Sequence, residues 1–124
     1  MSIEKTILIA DDEPMILKAL EFKLKKEGYK VIIASDGKEV KERIDDSMPD
    51  LLITDIMMPF FNGLEVLTYA KEKSENKLPV LVLSAVGQEA NVLEAFQLGA
   101  DDFMTKPFSP NELGIRVKKL LTNL

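Results

Sequence analysis

The chain has 124 residues and a mass of 13.9 kDa, which is the size of one ordinary domain. It contains no His and no Cys, which excludes a Ser-His triad, a thiol nucleophile, a disulfide and a zinc site of the usual ligands. The 21 acidic residues outnumber the 16 basic ones, and the net charge of −5 argues against direct nucleic-acid binding by this chain. Its chemistry must therefore come from carboxylates, hydroxyls and Lys.

Neither a secretory leader nor a membrane span is predicted. The N-terminal segment Met1–Lys5 has no apolar stretch behind a basic start. No apolar run approaches the roughly 20 residues that a helix needs to cross a bilayer. We therefore expect a cytoplasmic protein without membrane contact, made of a single domain over residues 1–124.

Five short apolar runs predict β-strands. Four of them are rich in Ile, Val and Leu and do not alternate with polar residues, which is typical of strands buried on both faces of a parallel sheet. The fifth is shorter and half polar. In chain order, the predicted strands are Thr6–Ala10, Lys30–Ala34, Leu51–Thr54, Pro79–Leu83 and Asp102–Met104.

Amphipathic stretches between these runs predict helices. Leu17, Leu20 and Leu24 recur at helical spacing, and similar stripes follow the third and fifth strands. Pro14 and Pro110 stand where the first and last helices are expected to begin. Strand and helix alternate five times, which predicts an α/β fold with a parallel sheet and helices on both faces.

Polar residues with chemical potential follow the predicted strands. Ligands of a doubly wound sheet bind beyond the carboxyl ends of its strands, where this chain has Asp11 and Asp12, then Asp55, Ser84 and Lys106. Each has a simpler explanation: the first two Asp as helix caps, Ser84 as a turn residue and Lys106 as solvated surface. Asp55 fits these least, because apolar residues rather than a helix follow it. All the simpler explanations would have to hold at one sheet edge, which favours a functional cluster.

The residue types of this cluster indicate a hard cation and phosphoryl chemistry. Clustered carboxylates raise one another's pKa unless a cation intervenes, and Lys106 supplies only one charge. Without imidazole or thiolate, an oxygen-only site points to Mg²⁺, with Mn²⁺ as an alternative. A carboxylate beside Mg²⁺, a Lys and a hydroxyl is equipped to accept a phosphoryl group.

Four segments carry a family resemblance that extends over the whole chain. They are ILIADDEP at Ile7–Pro14, LITDIMMPFFNG at Leu52–Gly63, LSA at Leu83–Ala85 and LGADDFMTKPFSP at Leu98–Pro110. In spacing, order and residue type, the sequence resembles the receiver domain of two-component response regulators. The resemblance implies a flavodoxin-like (βα)5 fold, a three-layer sandwich with strand order 2-1-3-4-5.

The resemblance also implies the phosphorylation and metal residues. Asp55 would be the phosphoacceptor. Asp12 would ligate Mg²⁺ directly and Asp11 chiefly through water, with Asp55 and the backbone carbonyl of Met57 completing the protein's ligands.

A second group of residues is implied to bind the phosphoryl group and to switch. Ser84 and Lys106 would contact phosphoryl oxygens, and the small Ala85 would leave access to them. The peptide bond between Lys106 and Pro107 is expected to be cis. Phe103 would be the switch aromatic, with a buried core side chain as the alternative.

The implied function is a signalling switch. A sensor histidine kinase or phosphotransfer protein would donate the phosphoryl group from its own His. The face of the fourth helix, fifth strand and fifth helix would then change its affinity for an effector or output domain of unknown identity. Gly99–Pro110 with Glu112 and Arg116 resembles the subfamily that dimerises through this face, but Gln88–Leu93 has no basic residue. A monomer and a phosphorylation-dependent homodimer therefore both remain open.

Three other functions fit the sequence less well. A Mg²⁺-dependent phosphatase with an Asp nucleophile usually has a second Asp two residues later, where this chain has Met57. An inert interaction module would be expected to lack Asp12, Asp55 or Lys106, and all three are present. A flavin-binding protein would need a Ser/Thr-rich loop after the first strand, where two Asp would repel its phosphate. We thus expect no enzyme beyond phosphotransfer to, and dephosphorylation of, its own Asp55.

Overall fold

The computed structural model describes residues 4–58 and 62–122. Within these ranges strands and helices alternate five times along the chain. Their bounds are β1 Thr6–Ala10, α1 Pro14–Lys26, β2 Lys30–Ala34, α2 Gly37–Asp46, β3 Leu51–Asp55, α3 Gly63–Lys73, β4 Val80–Ser84, α4 Glu89–Gln97, β5 Asp102–Thr105 and α5 Pro110–Thr122. From the sequence, Phe61 is expected to pack and Phe60 to be exposed and to serve a partner, but both residues lie outside the described ranges.

The five strands form one parallel sheet in the order β2-β1-β3-β4-β5. This confirms the expected flavodoxin-like fold. The first two strands and the starts of α1 and α5 match the sequence prediction to the residue. The strand β3 runs one residue further, to Asp55, and β4 runs from Val80 to Ser84 rather than from Pro79 to Leu83. Pro79 has no N–H to donate to the sheet, although its carbonyl accepts a bond from Leu52.

Helices cover both faces of the sheet, and the core is correspondingly double. Alternate residues of β1 point to opposite faces: Leu8 and Ala10 pack with α2, α3 and α4, whereas Ile7 and Ile9 pack with α1 and α5. Every residue of β3 and β4 is buried. This explains why these strands read as continuous apolar runs in the sequence.

The close packing of α1 on α5 supplies a reason for Gly114, which the sequence leaves without one. A Cβ atom at Gly114 would lie 2.9 Å from one carboxylate oxygen of Glu27 and 3.0 Å from the other. The glycine therefore lets the end of α1 approach α5. None of the helices in the described ranges combines the length and the apolar character needed to cross a membrane.

Candidate functional site

The predicted site residues meet at the carboxyl edge of the sheet. Asp11 follows β1, Asp55 and Ser84 end β3 and β4, and Lys106 follows β5. Backbone bonds continue past the strand ends and fix this edge, because the Lys106 amide donates to the Ser84 carbonyl at 2.7 Å. The Asp11 amide likewise donates to the Ala34 carbonyl at 3.2 Å. The sheet's backbone hydrogen bonding thus extends to the residues that carry the site.

Three carboxylates form the acidic part of the site. Asp11, Asp12 and Asp55 each offer an oxygen atom, and these atoms all lie within 4.8 Å of one another. Asp11 is fully buried and Asp55 almost so, whereas Asp12 is exposed. Neither Asp11 nor Asp12 is the N-cap of α1, since that position belongs to Glu13. Instead, an Asp11 oxygen accepts a hydrogen bond from the Glu13 amide at 2.9 Å.

Lys106 provides the positive charge at the centre of the site. Its Nζ lies 2.7 Å from Asp11 Oδ2, 3.2 Å from Glu13 Oε1 and 3.3 Å from Asp55 Oδ2. The Lys side chain is 13% exposed, so these ion pairs are largely shielded from water. The peptide bond from Lys106 to Pro107 is cis, as the sequence predicts.

The ionised forms of the two buried carboxylates in the site are destabilised. Burial raises the pKa of Asp11, and the hydrogen bond and charge of Lys106 offset this only in part. Burial, and then the charge of Asp11, raise the pKa of Asp55, while Lys106 and the Met57 amide counteract the rise. Burial alone would lower the pKa of Lys106, but its carboxylate neighbours prevail and raise it. One ammonium group is therefore too little to neutralise these carboxylates, and a further cation would lower their pKa values.

The site has oxygen ligands for a hard divalent cation. Asp11 Oδ2 is the one buried side-chain oxygen or nitrogen in the described ranges without a hydrogen bond of regular geometry, and its only close partner is Lys106 Nζ at 2.7 Å. An under-satisfied buried carboxylate beside two others is an oxygen-only donor set, which suits Mg²⁺. The Met57 amide donates a hydrogen bond to Asp55, and the Met57 side chain is half exposed, while ligation by the Met57 carbonyl stays a prediction.

Ser84 and Phe103 lie around a neighbouring cavity. Ser84 is 2% exposed, and with Val86, Val92, Phe103 and Thr105 it lines a space of about 200 Å³. The Phe103 ring is not part of the core, because it is 37% exposed. It meets the ring of Phe96 edge to face, with centroids 5.7 Å apart. The alternative of a buried core Phe at this position is therefore wrong.

Two features of the site were not assigned a role from the sequence. Glu13 follows the two Asp residues after β1, and it contacts Lys106, which is 93 positions away in the sequence. Gly63 begins α3 at a point where its amide donates to the Ile56 carbonyl at 2.6 Å. A Cβ atom there would overlap the Asp55 carbonyl oxygen and lie 2.6 Å from Ile56 Cα. The Asn62-Gly63 pair, which marks a turn before a helix, is the sequence signal for this approach.

The sequence from residue 7 to residue 118 matches the family model of the response regulator receiver domain. The chain belongs to this family. The receiver domain is a signalling domain, its family binds Mg²⁺ at an acidic pocket, and its response regulators work with histidine kinases.

Relatives of known name agree with this assignment. The receiver domain is 43% identical over 121 residues to the alkaline phosphatase synthesis transcriptional regulatory protein PhoP of Bacillus subtilis, covering 96% of this chain and 49% of the relative. It is 40% identical to the probable transcriptional regulator ycf27 of Guillardia theta, covering 98% of this chain and 47% of the relative. The chain thus spans about half the length of these curated relatives.

Solved structures of other receiver domains show the same fold over nearly all of this chain. The receiver domain of the Francisella response regulator 1452 superposes with a TM-score of 0.88 at 35% identity, covering 97% of this chain and 98% of that one. A CheY-like receiver domain protein from Methanospirillum hungatei gives a TM-score of 0.92 at 29% identity, covering 98% and 96%. The five-stranded order of the sheet is therefore that of the family.

Proposed function

We propose that the chain is a phosphoacceptor switch in which Asp55 accepts a phosphoryl group from the phosphohistidine of a sensor histidine kinase or phosphotransfer protein. The observation that carries this proposal is the position of Asp55: its carboxylate ends a buried strand 3.3 Å from the Lys106 ammonium and beside two further carboxylates. The family assignment supports phosphorylation on an Asp. These 124 residues contain no His, so the phosphohistidine lies outside this chain.

The transfer is a single displacement at phosphorus. A carboxylate oxygen of Asp55 forms the new P–O bond as the P–N bond to the partner's imidazole breaks, and the imidazole nitrogen leaves with the bonding electrons and takes up a proton. Lys106 would neutralise charge on the phosphoryl oxygens, and the Ser84 hydroxyl would donate a hydrogen bond to one of them. Ala85, which is exposed and small, leaves the approach open.

Asp11, Asp12 and Asp55 would hold Mg²⁺, with the Met57 carbonyl as a further ligand and Mn²⁺ as a substitute. When bound, such a cation neutralises charge on the transferring phosphoryl oxygens. Asp12 would ligate the cation directly from the exposed side, whereas Asp55 would do so from the buried side and Asp11 chiefly through water. Such a cation would lower the raised pKa values of Asp11 and Asp55.

Phosphorylation of Asp55 would change the surface formed by α4, β5 and α5 through movements of Ser84 and Phe103. The cavity between them gives the Phe103 ring a place to enter when Ser84 turns towards the phosphoryl group. Entry would break the edge-to-face contact with Phe96 on α4. The surface of α4, β5 and α5 would then shift between two populations with different affinity for an effector.

The wider setting of this switch is also a proposal. We place the domain in the cytoplasm and treat residues 1–124 as one receiver unit. Two of the relatives are about twice as long as this chain and have names that describe transcriptional regulation, so an output domain in the same protein is one effector. A separate effector protein and a homodimer formed on phosphorylation are the others.

Acetyl phosphate and Mg²⁺ provide the direct test, read by intact mass spectrometry. The wild-type chain is expected to gain one phosphoryl group, and Asp55→Asn or wild type with a chelator is expected to gain none. Asp46→Asn, an exposed carboxylate on α2, is the matched control and should label like wild type. Undiminished labelling of Asp55→Asn would contradict the proposal. Steady release of phosphate from an aryl phosphate would point instead to a phosphatase.

A further inference from the structure

Glu13 occupies the N-cap position of α1 without capping the helix. Its backbone is extended, as a cap residue requires, but its side chain makes no cap hydrogen bond. Ser, Thr, Asp and Asn are the residues whose short side chains reach the first free amides of a helix. The longer Glu13 side chain instead accepts a hydrogen bond from Lys106 Nζ at 3.2 Å. The Glu13 side chain thus contacts Lys106 in the site instead of capping α1.

The Lys106 ammonium has three N–H donors and faces three carboxylates. Two of these, Asp11 and Asp55, are 0% and 9% exposed at their side chains, whereas Glu13 is 60% exposed. Water screens the contact with Glu13 most strongly, so this is the weakest of the three ion pairs. A phosphoryl oxygen that arrives at Asp55 can take a donor from Glu13 at the least cost.

We propose that Glu13 is a positioning residue that holds Lys106 in the unphosphorylated state and releases it when a phosphoryl group reaches Asp55, which slows phosphoryl uptake. This inference rests on the proposed function of Asp55. Glu13 touches neither donor nor phosphoryl group in this scheme and acts through Lys106 alone. Its removal leaves one ammonium donor of Lys106 free for the phosphoryl oxygens.

Glu13→Gln is expected to label about two- to fivefold faster with acetyl phosphate, the range that loss of one exposed ion pair gives. Glu13→Asp separates contact from charge, because it keeps the carboxylate but is one methylene too short to reach Lys106. If the contact matters, Glu13→Asp labels like Glu13→Gln; if only the charge matters, it labels like wild type. Glu72→Gln, an exposed residue in the last turn of α3, changes the net charge equally at the opposite sheet edge and should label like wild type.

A spectroscopic readout shows whether the effect passes through Lys106. The ¹⁵N resonance of the Lys106 ammonium is expected to move in Glu13→Gln and in Glu13→Asp, but not in Glu72→Gln. Labelling of Glu13→Gln at or below the wild-type rate, or Glu13→Asp behaving like wild type, would overturn the inference. Failure of wild type to label would instead refute the proposed function of Asp55, so the two failures are distinct.

Discussion

Gly63 lies so close to the backbone of Asp55 that a side chain cannot fit between them. A Cβ atom on Gly63 would overlap the Asp55 carbonyl oxygen, and it would lie 2.6 Å from the α-carbon and 2.9 Å from the carbonyl oxygen of Ile56. The atoms in the way belong to the backbone of Asp55 and Ile56, which cannot rotate away as a flexible side chain can. The start of α3 and the end of β3 are therefore held together at the position of the proposed phosphoacceptor.

Gly63→Ala is expected to lower the free energy of unfolding by about 1–3 kcal/mol, the cost of forcing extra volume into a packed region. The loss would appear in urea denaturation as a lower midpoint with an unchanged slope. Since the backbone of β3 must shift, labelling of Asp55 by acetyl phosphate should slow as well.

Gly114→Ala is the matched control for this substitution. Its new methyl group would meet only the carboxylate of Glu27, the mobile end of a side chain that can move aside. Ala also favours a helix interior by about 1 kcal/mol over Gly, so the net change in stability should be close to zero. A Gly63→Ala protein as stable as Gly114→Ala would show that the backbone of Asp55 and Ile56 can move aside at little cost in free energy, which would contradict this prediction.

The sequence predicts the fold of this protein well because its strands are buried on both faces. The runs of β1 and β2 are continuous and apolar, so their bounds follow directly from residue type. The carboxyl ends of parallel strands share one edge, and this rule alone brings Asp11, Asp55 and Lys106 together. The prediction of the site thus depends on topology and needs no knowledge of side-chain conformation.

Contacts that depend on side-chain reach or on backbone proximity could not be predicted in this way. The ion pair of Glu13 with Lys106 joins residues from opposite ends of the chain, and residue type does not reveal which carboxylate a Lys selects. The exposure of Phe103 depends on the half-covered position of β5 at the edge of the sheet. The reason for Gly114 lies in the approach of another helix, which a single helical pattern does not contain.

Asp55→Asn is expected to stabilise the protein at pH 7 without divalent cations, by an amount on the order of 1 kcal/mol. Burial, then the charge of Asp11, raise the pKa of Asp55 in the folded state above the ordinary 3.8. The folded protein thus holds this proton more tightly than the unfolded chain, and stability falls as pH rises through the interval between the two values. Asn removes the buried charge that causes this loss.

The gain from Asp55→Asn should shrink as the pH is lowered towards 3.8, because wild-type Asp55 then becomes protonated and loses its penalty. Urea denaturation at pH 7 and at about pH 4 would measure both values. Asp46→Asn on the surface of α2 is the control, with little change expected at either pH. An Asp55→Asn protein that is less stable than wild type at pH 7 would contradict this account of the site.

Mg²⁺ should raise the melting temperature of wild type, because a ligand that binds only the folded state stabilises it by mass action, by about 2.7 kcal/mol at a hundred times its dissociation constant. Asp12→Asn removes the exposed carboxylate of the cluster and should weaken Mg²⁺ binding about tenfold or more, since charge count sets the affinity of such sites. Thermal melts over a Mg²⁺ titration would give both values. If the Mg²⁺ concentration at the midpoint of this titration is the same for Asp12→Asn as for wild type, the cation binds elsewhere.

Lys71 forms a buried cluster at the opposite edge of the sheet. Its Nζ donates to the Leu78 carbonyl at 2.7 Å and to Asp101 Oδ2 at 2.8 Å, and the same Asp101 oxygen accepts from the Val80 amide. The Lys71 side chain is 8% exposed and the Asp101 side chain 38%, so the cluster ties α3 to the start of β4 and to the turn before β5 with only its Lys71 end shielded from water.

Lys71→Met should therefore cost about 2–3 kcal/mol, because it leaves the Leu78 carbonyl unpaired and deprives Asp101 of its cation. Lys118→Met, on the exposed side of α5, is expected to stay within about 0.5 kcal/mol of wild type. Below the melting transition, Asp55 should label at the wild-type rate in both variants, because the cluster lies at the far ends of the strands. Slower labelling of folded Lys71→Met would instead reveal coupling between the two edges of the sheet.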